Sequence, residues 1–261
     1  MALPLQHMSI LVTNDDGIDA EGIALLTKIA RTLSDDVWVV APATQQSGAS
    51  HSLTLHSPLH ITKLAEKRYS VDGTPTDCVV MAVKEILKDH KPDLVLSGVN
   101  CGANLGEDVT YSGTIAAAME GTLLDIPSIA FSQTYTKNYP VYWEVAEHFA
   151  ADIIARLVLQ GIQQNCLINI NFPDCPASQV RGIKATPQGK RKIGDNIVRG
   201  VDPEGMPYYW VGTVRNEEKE HPASDLAAVR DNYIAITPLC LDLTDYEELE
   251  ALDSQFTCTF A

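Results

Sequence analysis

A chain of 261 residues with 45% hydrophobic and 20% charged content is long enough for one large α/β domain or two modest ones, and has the composition of an ordinary globular protein. Its 19 basic against 34 acidic residues give a net charge of −15 and a pI near 4.7. That excludes a protein that coats nucleic-acid polymers or an anionic membrane, since both need a basic footprint. No apolar run reaches the roughly 18 residues of a membrane span, and the start carries no signal-peptide pattern. The six cysteines, at 78, 101, 166, 175, 240 and 258, show no C-x-x-C spacing and read as free thiols of a cytoplasmic protein.

Residues 8–13 (MSILVT) form a short apolar run that reads as a buried parallel strand; the seven residues before it read as a loose extension. Residues 20–33 place Ile23, Leu26, Ile29, Ala30 and Leu33 on one helical face. A second strand at 37–41 closes a βαβ unit. After a polar loop at 42–52, a hairpin is expected with strands near 59–63 and 68–72. Thr74 then caps a helix with Pro75 in its first turn, running to about Lys88.

The alternation continues with a strand at 93–97, a Gly- and Asn-rich loop at 98–113 and a small-residue helix at 114–124. A strand at 128–132, a helix at 141–160 and a strand at 166–171 follow. Such a pattern predicts an α/β fold: a mostly parallel sheet with helices on both faces. Beyond residue 180 the rhythm breaks into short strand-like pieces, a helix starting at Ser224 and a strand at 233–237. The expected division is therefore a core at 8–180 and an irregular arm at 181–261 that packs on the core or on another subunit. His51, His56 and His60 receive no catalytic role; Trp38, Met119 and Trp143 read as packing residues.

In open parallel sheets, ligands sit outside the carboxyl ends of the strands. Asn14-Asp15-Asp16-Gly17 follows the first strand, Ser47 lies in the loop after the second, and Asn100 follows the 93–97 strand. Adjacent carboxylates are costly to bury together without a cation between them. Two carboxylates, a hydroxyl and an amide oxygen form an all-oxygen set suited to Mg²⁺ or Mn²⁺, with Ca²⁺ as a structural substitute. A helix N-cap is the competing explanation, and it accounts for one of the two carboxylates. Ser112-Gly113-Thr114 opens a helix, and amides and hydroxyls at such a start make an anion pocket. The competing explanation there is a flexible surface loop.

With these loops placed, the sequence resembles the SurE family of nucleotidases (survival protein E). The matching stretches include ILVTNDDGIDAEGI at 10–23, APATQQSGAS at 41–50 and VDGTPTDCV at 71–79. The long run from Leu94 to Ser132, NINFP at 169–173 and SDLAAVRDNYIAITPL at 224–239 extend the likeness over nearly the whole chain. The resemblance implies a Rossmann-like three-layer α/β/α core with a smaller, β-rich C-terminal arm exchanged in homodimers or homotetramers. It implies a phosphatase of nucleoside monophosphates, acting on 5′- or 3′-nucleotides and on short polyphosphate. By motif, Asp15, Asp16, Ser47 and Asn100 would hold one divalent ion per subunit, and Asn104, Ser112, Gly113 and Thr114 would line a phosphate pocket. Ala223-Ser224-Asp225 departs from the family's more usual Gly-Thr-Asp.

Hydrolysis by water activated at the metal is preferred to an aspartyl-phosphate route, because a carboxylate bound to metal is a weaker nucleophile. A phospho-receiver domain needs a further acceptor Asp where this chain has Asn100, and a haloacid-dehalogenase phosphatase needs D-x-D rather than D-D-G. The remaining alternative is a non-catalytic metal-binding assembly protein of the same fold.

Overall fold

A computed structural model describes residues 5–193, 197–211, 215–217 and 221–257. Cys258 and the first four residues lie outside them. The central sheet has nine strands in the order β3-β4-β2-β1-β5-β6-β7-β13-β8. In chain order these are β1 (Ser9–Thr13), β2 (Asp36–Pro42), β3 (Ile61–Ala65), β4 (Arg68–Val71), β5 (Leu94–Cys101), β6 (Ser128–Gln133), β7 (Cys166–Phe172) and β8 (Gly182–Ala185), with β13 (Tyr233–Cys240) last. β3 pairs antiparallel with β4, and β13 antiparallel with β7; every other ladder in the sheet is parallel.

The apolar runs are unbroken because successive side chains serve opposite faces and both faces are buried. In β1, Ile10 and Val12 enter one core with α1 (Glu21–Leu33) and α4 (Trp143–Gln160), while Leu11 enters another with α2 (Pro75–Met81) and Ala117 of α3 (Gly113–Leu123). Leu94 and Leu96 against Val95 repeat the pattern in β5. All five apolar positions expected on the inner face of α1 are buried. The Thr74 cap is a full capping box: Thr74 Oγ1 accepts from Asp77 N, and Asp77 accepts from Thr74 N. That helix turns π-helical over Ala82–Ile86 rather than continuing regularly to Lys88.

Several expectations need correction. Residues 5–7 are not loose: Leu5 is fully buried in the α1/α4 core, and Gln6 O accepts from Asp35 N at 3.2 Å. β5 runs four residues past Ser97, so Gly98–Cys101 are strand rather than loop. Gly98 makes that extension possible. It sits at φ +128°, and a Cβ there would lie 2.4 Å from Phe131 O.

Past residue 180, β8 and β13 join the main sheet. β10 (Ile197–Val201) and β11 (Pro207–Val211) form a separate antiparallel ribbon, and β9 (Arg191–Ile193) pairs with β12 (Arg215–Glu217). Ser224 caps α5 (Asp225–Arg230) as expected. A last helix, α6 (Tyr246–Phe256), had no counterpart in the sequence reading; it buries none of its residues. No described helix is long and apolar enough to cross a membrane.

Candidate active site

The Asn14-to-Gly17 turn is locked from within. Asn14 Nδ2 donates to Gly17 O at 2.9 Å, and Gly17 N returns a bond to Asn14 Oδ1 at 3.2 Å. Gly17 adopts φ +103°, which favours glycine. The capping explanation fails here, since α1 begins at Glu21 and its N-cap, Ala20, makes no side-chain cap bond. Asp15 reaches a different helix instead: Thr114 Oγ1 donates to Asp15 Oδ1 at 2.5 Å. The start of α3 lies so close that a Cβ on Gly113 would stand 2.7 Å from Asp15 Cβ.

Asp15 is 4% exposed. Burial pushes its carboxyl up to about 6; the Thr114 hydroxyl pulls it down, and the neighbouring Asp16 adds to the rise. Asp16 is also raised by burial, against hydrogen bonds from the Cys101 amide and the Gln45 side chain. Cys101 N donates to Asp16 Oδ2 at 3.0 Å, which ties the β1 end to the β5 end beside Asn100. Gln45 in turn donates from Nε2 to Ser47 Oγ at 3.0 Å. Asp16 is thus tied to Ser47 through Gln45 and, through the Cys101 amide, to the strand end that carries Asn100, whose own Nδ2 donates to Gly102 O at 2.8 Å.

This donor set fits a hard divalent cation. Two adjacent carboxylates raised by burial are costly as a bare pair, and a cation between them reverses the cost. Among the described residues no group of three or more His, Cys, Asp or Glu could hold a metal. A metal held here would need neutral oxygens beside the two carboxylates, and Ser47 and Asn100 are the residues that could supply them.

The 102–114 segment is not a solvated surface loop. Asn104 is buried and donates from Nδ2 to Ser132 Oγ at 2.8 Å; its backbone N–H donates to Asn171 Oδ1 at 2.8 Å. Asn104 O accepts from Asn169 Nδ2 and Asn171 Nδ2 at 2.8 and 3.0 Å. Asn169 and Asn171 are two apart on β7 and share a face, a period-2 signal that the sequence reading passed over. Ser112 caps α3 by accepting from Ile115 N at 3.1 Å. His51, left without a role, pairs through Nε2 with Glu120 Oε2 at 3.0 Å.

Asp225 was also missed. It is fully buried and accepts from Gly106 N at 2.9 Å, Gly189 N at 2.8 Å and Leu226 N at 2.8 Å. Arg191 pairs with Asp108, and its backbone N–H donates to Glu107. The turn that leads into Ser112 is thus held by residues from beyond 188. The sequence signal was an acid directly after the α5 cap, which reads equally well as a first-turn charge.

The family model for Survival protein SurE matches residues 10–195. A protein from Paramagnetospirillum magneticum named 5'-nucleotidase SurE is 57% identical over 95% of this chain and 96% of its own length. A protein of the same name from Rhodospirillum rubrum is 50% identical over 98% of this chain and its whole length. A crystal structure of the SurE protein from Aquifex aeolicus aligns with a TM-score of 0.83 at 41% identity, covering 94% of this chain and 98% of that one. The strand-end carboxylate pair, its oxygen companions and these likenesses agree, and the chain belongs to the SurE family.

Proposed function

We propose that this protein is a metal-dependent 5'-nucleotidase that hydrolyses nucleoside monophosphates to nucleoside and phosphate. One observation carries the reading: the buried Asp15–Asp16 pair lies against the start of α3 and is linked to Ser47 and the Asn100 strand end. The relatives named 5'-nucleotidase SurE support it over nearly their full lengths. No observation favours a non-catalytic assembly protein.

Asp15, Asp16, Ser47 and Asn100 would hold one Mg²⁺ or Mn²⁺ per subunit, with Ca²⁺ as a substitute. When bound, the ion supplies Lewis acidity at the phosphate and offsets developing charge. Thr114 spends its hydroxyl on Asp15 and so fixes that carboxylate's orientation. The Gly113 N–H and the Ser112 hydroxyl proton are then the donors we assign to phosphate oxygens, together with Asn104, whose Nδ2 also donates to Ser132 Oγ. Water is the nucleophile we favour. Hydrolysis of a substrate made chiral at phosphorus with oxygen isotopes should invert its configuration, as one displacement by water requires; net retention, from two successive displacements, would establish an aspartyl-phosphate instead.

We further assign 8–180 as the catalytic core and 181–261 as an arm whose β8 and β13 complete the core sheet and whose remainder packs on a second subunit, in a homodimer or homotetramer. The protein is expected in the cytoplasm, with activity on 3'-nucleotides and short polyphosphate as side reactions. The deciding test is a screen of nucleoside monophosphates with Mg²⁺, Mn²⁺ or EDTA, on wild type and Asp16→Asn. Phosphate release that needs the metal and is lost in the variant is expected. Turnover in EDTA, or full activity in the variant, overturns the reading; no release under any ion restores the assembly protein.

A further inference from the structure

β7 and β13 run antiparallel, and their ladder sets Cys166 directly opposite Cys240. Directly opposite residues project from the same face of a sheet. The next pair outward, Asn165 and Leu241, is of the hydrogen-bonded kind, because Leu241 N donates to Asn165 O at 3.0 Å. Pair types alternate along an antiparallel ladder, so Cys166 and Cys240 form the non-hydrogen-bonded kind. Such pairs bring Cα atoms to about 4.5 Å, inside the roughly 4.4–6.8 Å span of protein disulfides. Both cysteines are reduced here; Cys166 is partly buried and Cys240 exposed. Burial raises the Cys166 thiol and the charge of Cys240 beside it adds to the rise, so the two groups interact electrostatically.

We propose that Cys166 and Cys240 are a redox-modification site, a cross-strand dithiol that a peroxide closes to a disulfide. The exposed Cys240 thiolate attacks one peroxide oxygen; the O–O bond breaks, and the departing oxygen leaves as water once protonated. The resulting Cys240 sulfenic acid is attacked at sulfur by Cys166, the S–S bond forms, and a second water is released. Two thiols are oxidised by two electrons and one hydrogen peroxide gives two waters. The bond staples the last residue of β13 to the first of β7, where the chain departs toward α6. This inference does not depend on the nucleotidase reading, because the pair lies at the opposite end of β7 from Asn171.

The test treats the full-length reduced protein with hydrogen peroxide, blocks remaining thiols with N-ethylmaleimide and weighs the intact chain. Digestion with trypsin and an Asp-directed protease follows, because Asp174 and Asp242 separate the pair from Cys175 and Cys258. The expected result is a monomer with two fewer alkylated thiols, a Cys166–Cys240 linked peptide, and a melting temperature that rises and returns with dithiothreitol. Cys240→Ser should lose the linked peptide and the shift. Single-oxygen adducts without a link, a link between other cysteines, or a link between two chains would each overturn the proposal.

Discussion

The strand-end site and the β10–β11 ribbon invert the usual distribution of residues in opposite ways. At the site, polar groups are inside: Asp15 is 4% exposed, and Asn14, Thr114 and Asp225 are fully buried. On the ribbon, apolar groups are outside: Trp210 is 66% and Val211 67% exposed, with Tyr209 alongside. Each arrangement is costly for the chain alone, the first through desolvated charge and the second through apolar surface left in water. Each becomes favourable when something is added. At the site we assign a cation and a phosphate, and at the ribbon another copy of the chain. Under that assignment, buried polarity answers to small ligands and exposed apolarity to another protein surface.

The sharpest break in this comparison is Asp16→Asn. It should lower kcat/KM for a nucleoside monophosphate by about 10³-fold, or about 4 kcal/mol of transition-state stabilisation. Circular dichroism should show the fold unchanged; an unaltered kcat/KM would mean that the pair is not catalytic machinery. Gly113→Ala comes next, since the new Cβ would press on Asp15. Activity should fall about 10²-fold and the melting temperature by roughly 5 °C. A variant as active as wild type would show that the α3 start tolerates displacement.

Asp225→Asn touches neither proposed ligand, yet weakens the acceptor for Gly106 N and Gly189 N. We expect KM to rise about tenfold with kcat changed less than about threefold, measured by steady-state kinetics. A fall confined to kcat would place Asp225 nearer the chemistry than its hydrogen bonds do.

The metal affinity should depend on pH in one direction. The Asp15 pKa is raised from 3.8 to about 6 in the fold. Its protonated form is therefore favoured on folding; its stability contribution is complete below about 4 and is lost as the pH rises through about 6. A cation binding below pH 6 must displace that proton, so affinity should drop by up to about tenfold per unit below 6 and level off above it. Calorimetric titration with Mn²⁺ at pH 5 and 7.5 reads this directly, and equal affinities would remove the buried-carboxylate argument. The smallest catalytic effect belongs to the ribbon. Trp210→Asp should lower the sedimenting mass while leaving turnover per subunit within about twofold.

The core was legible because its elements obey simple periods. Ile10 and Val12 against Leu11, and the five buried positions of α1, follow from spacings of 2 and 3.6. That the loops carrying Asp15, Asp16, Ser47 and Asn100 share one sheet edge was legible because a parallel sheet gathers strand ends. Asp225 was not, because its partners Gly106 and Gly189 are backbone amides that carry no side-chain signature. Nor was the strand character of Gly98–Cys101, where glycine and asparagine spell a turn locally and the β6 ladder overrides them. α6 is different: Tyr246, Leu249, Leu252 and Phe256 recur at helical spacing, yet the stripe they form is exposed and packs on no described core.

The position of β13 has a consequence for how the protein is made. The sheet passes from β7 to β13 before it reaches β8, so the seventh strand's neighbour is encoded near the end of the chain. While the ribosome is still translating the arm, β7 is a bare sheet edge and β8 has nothing to pair with. Domains fold as units during synthesis, and an open edge invites pairing with other chains. Truncation before Tyr233 should therefore yield an aggregating product rather than a smaller soluble one, and the finished sheet closes only after residue 240 has emerged.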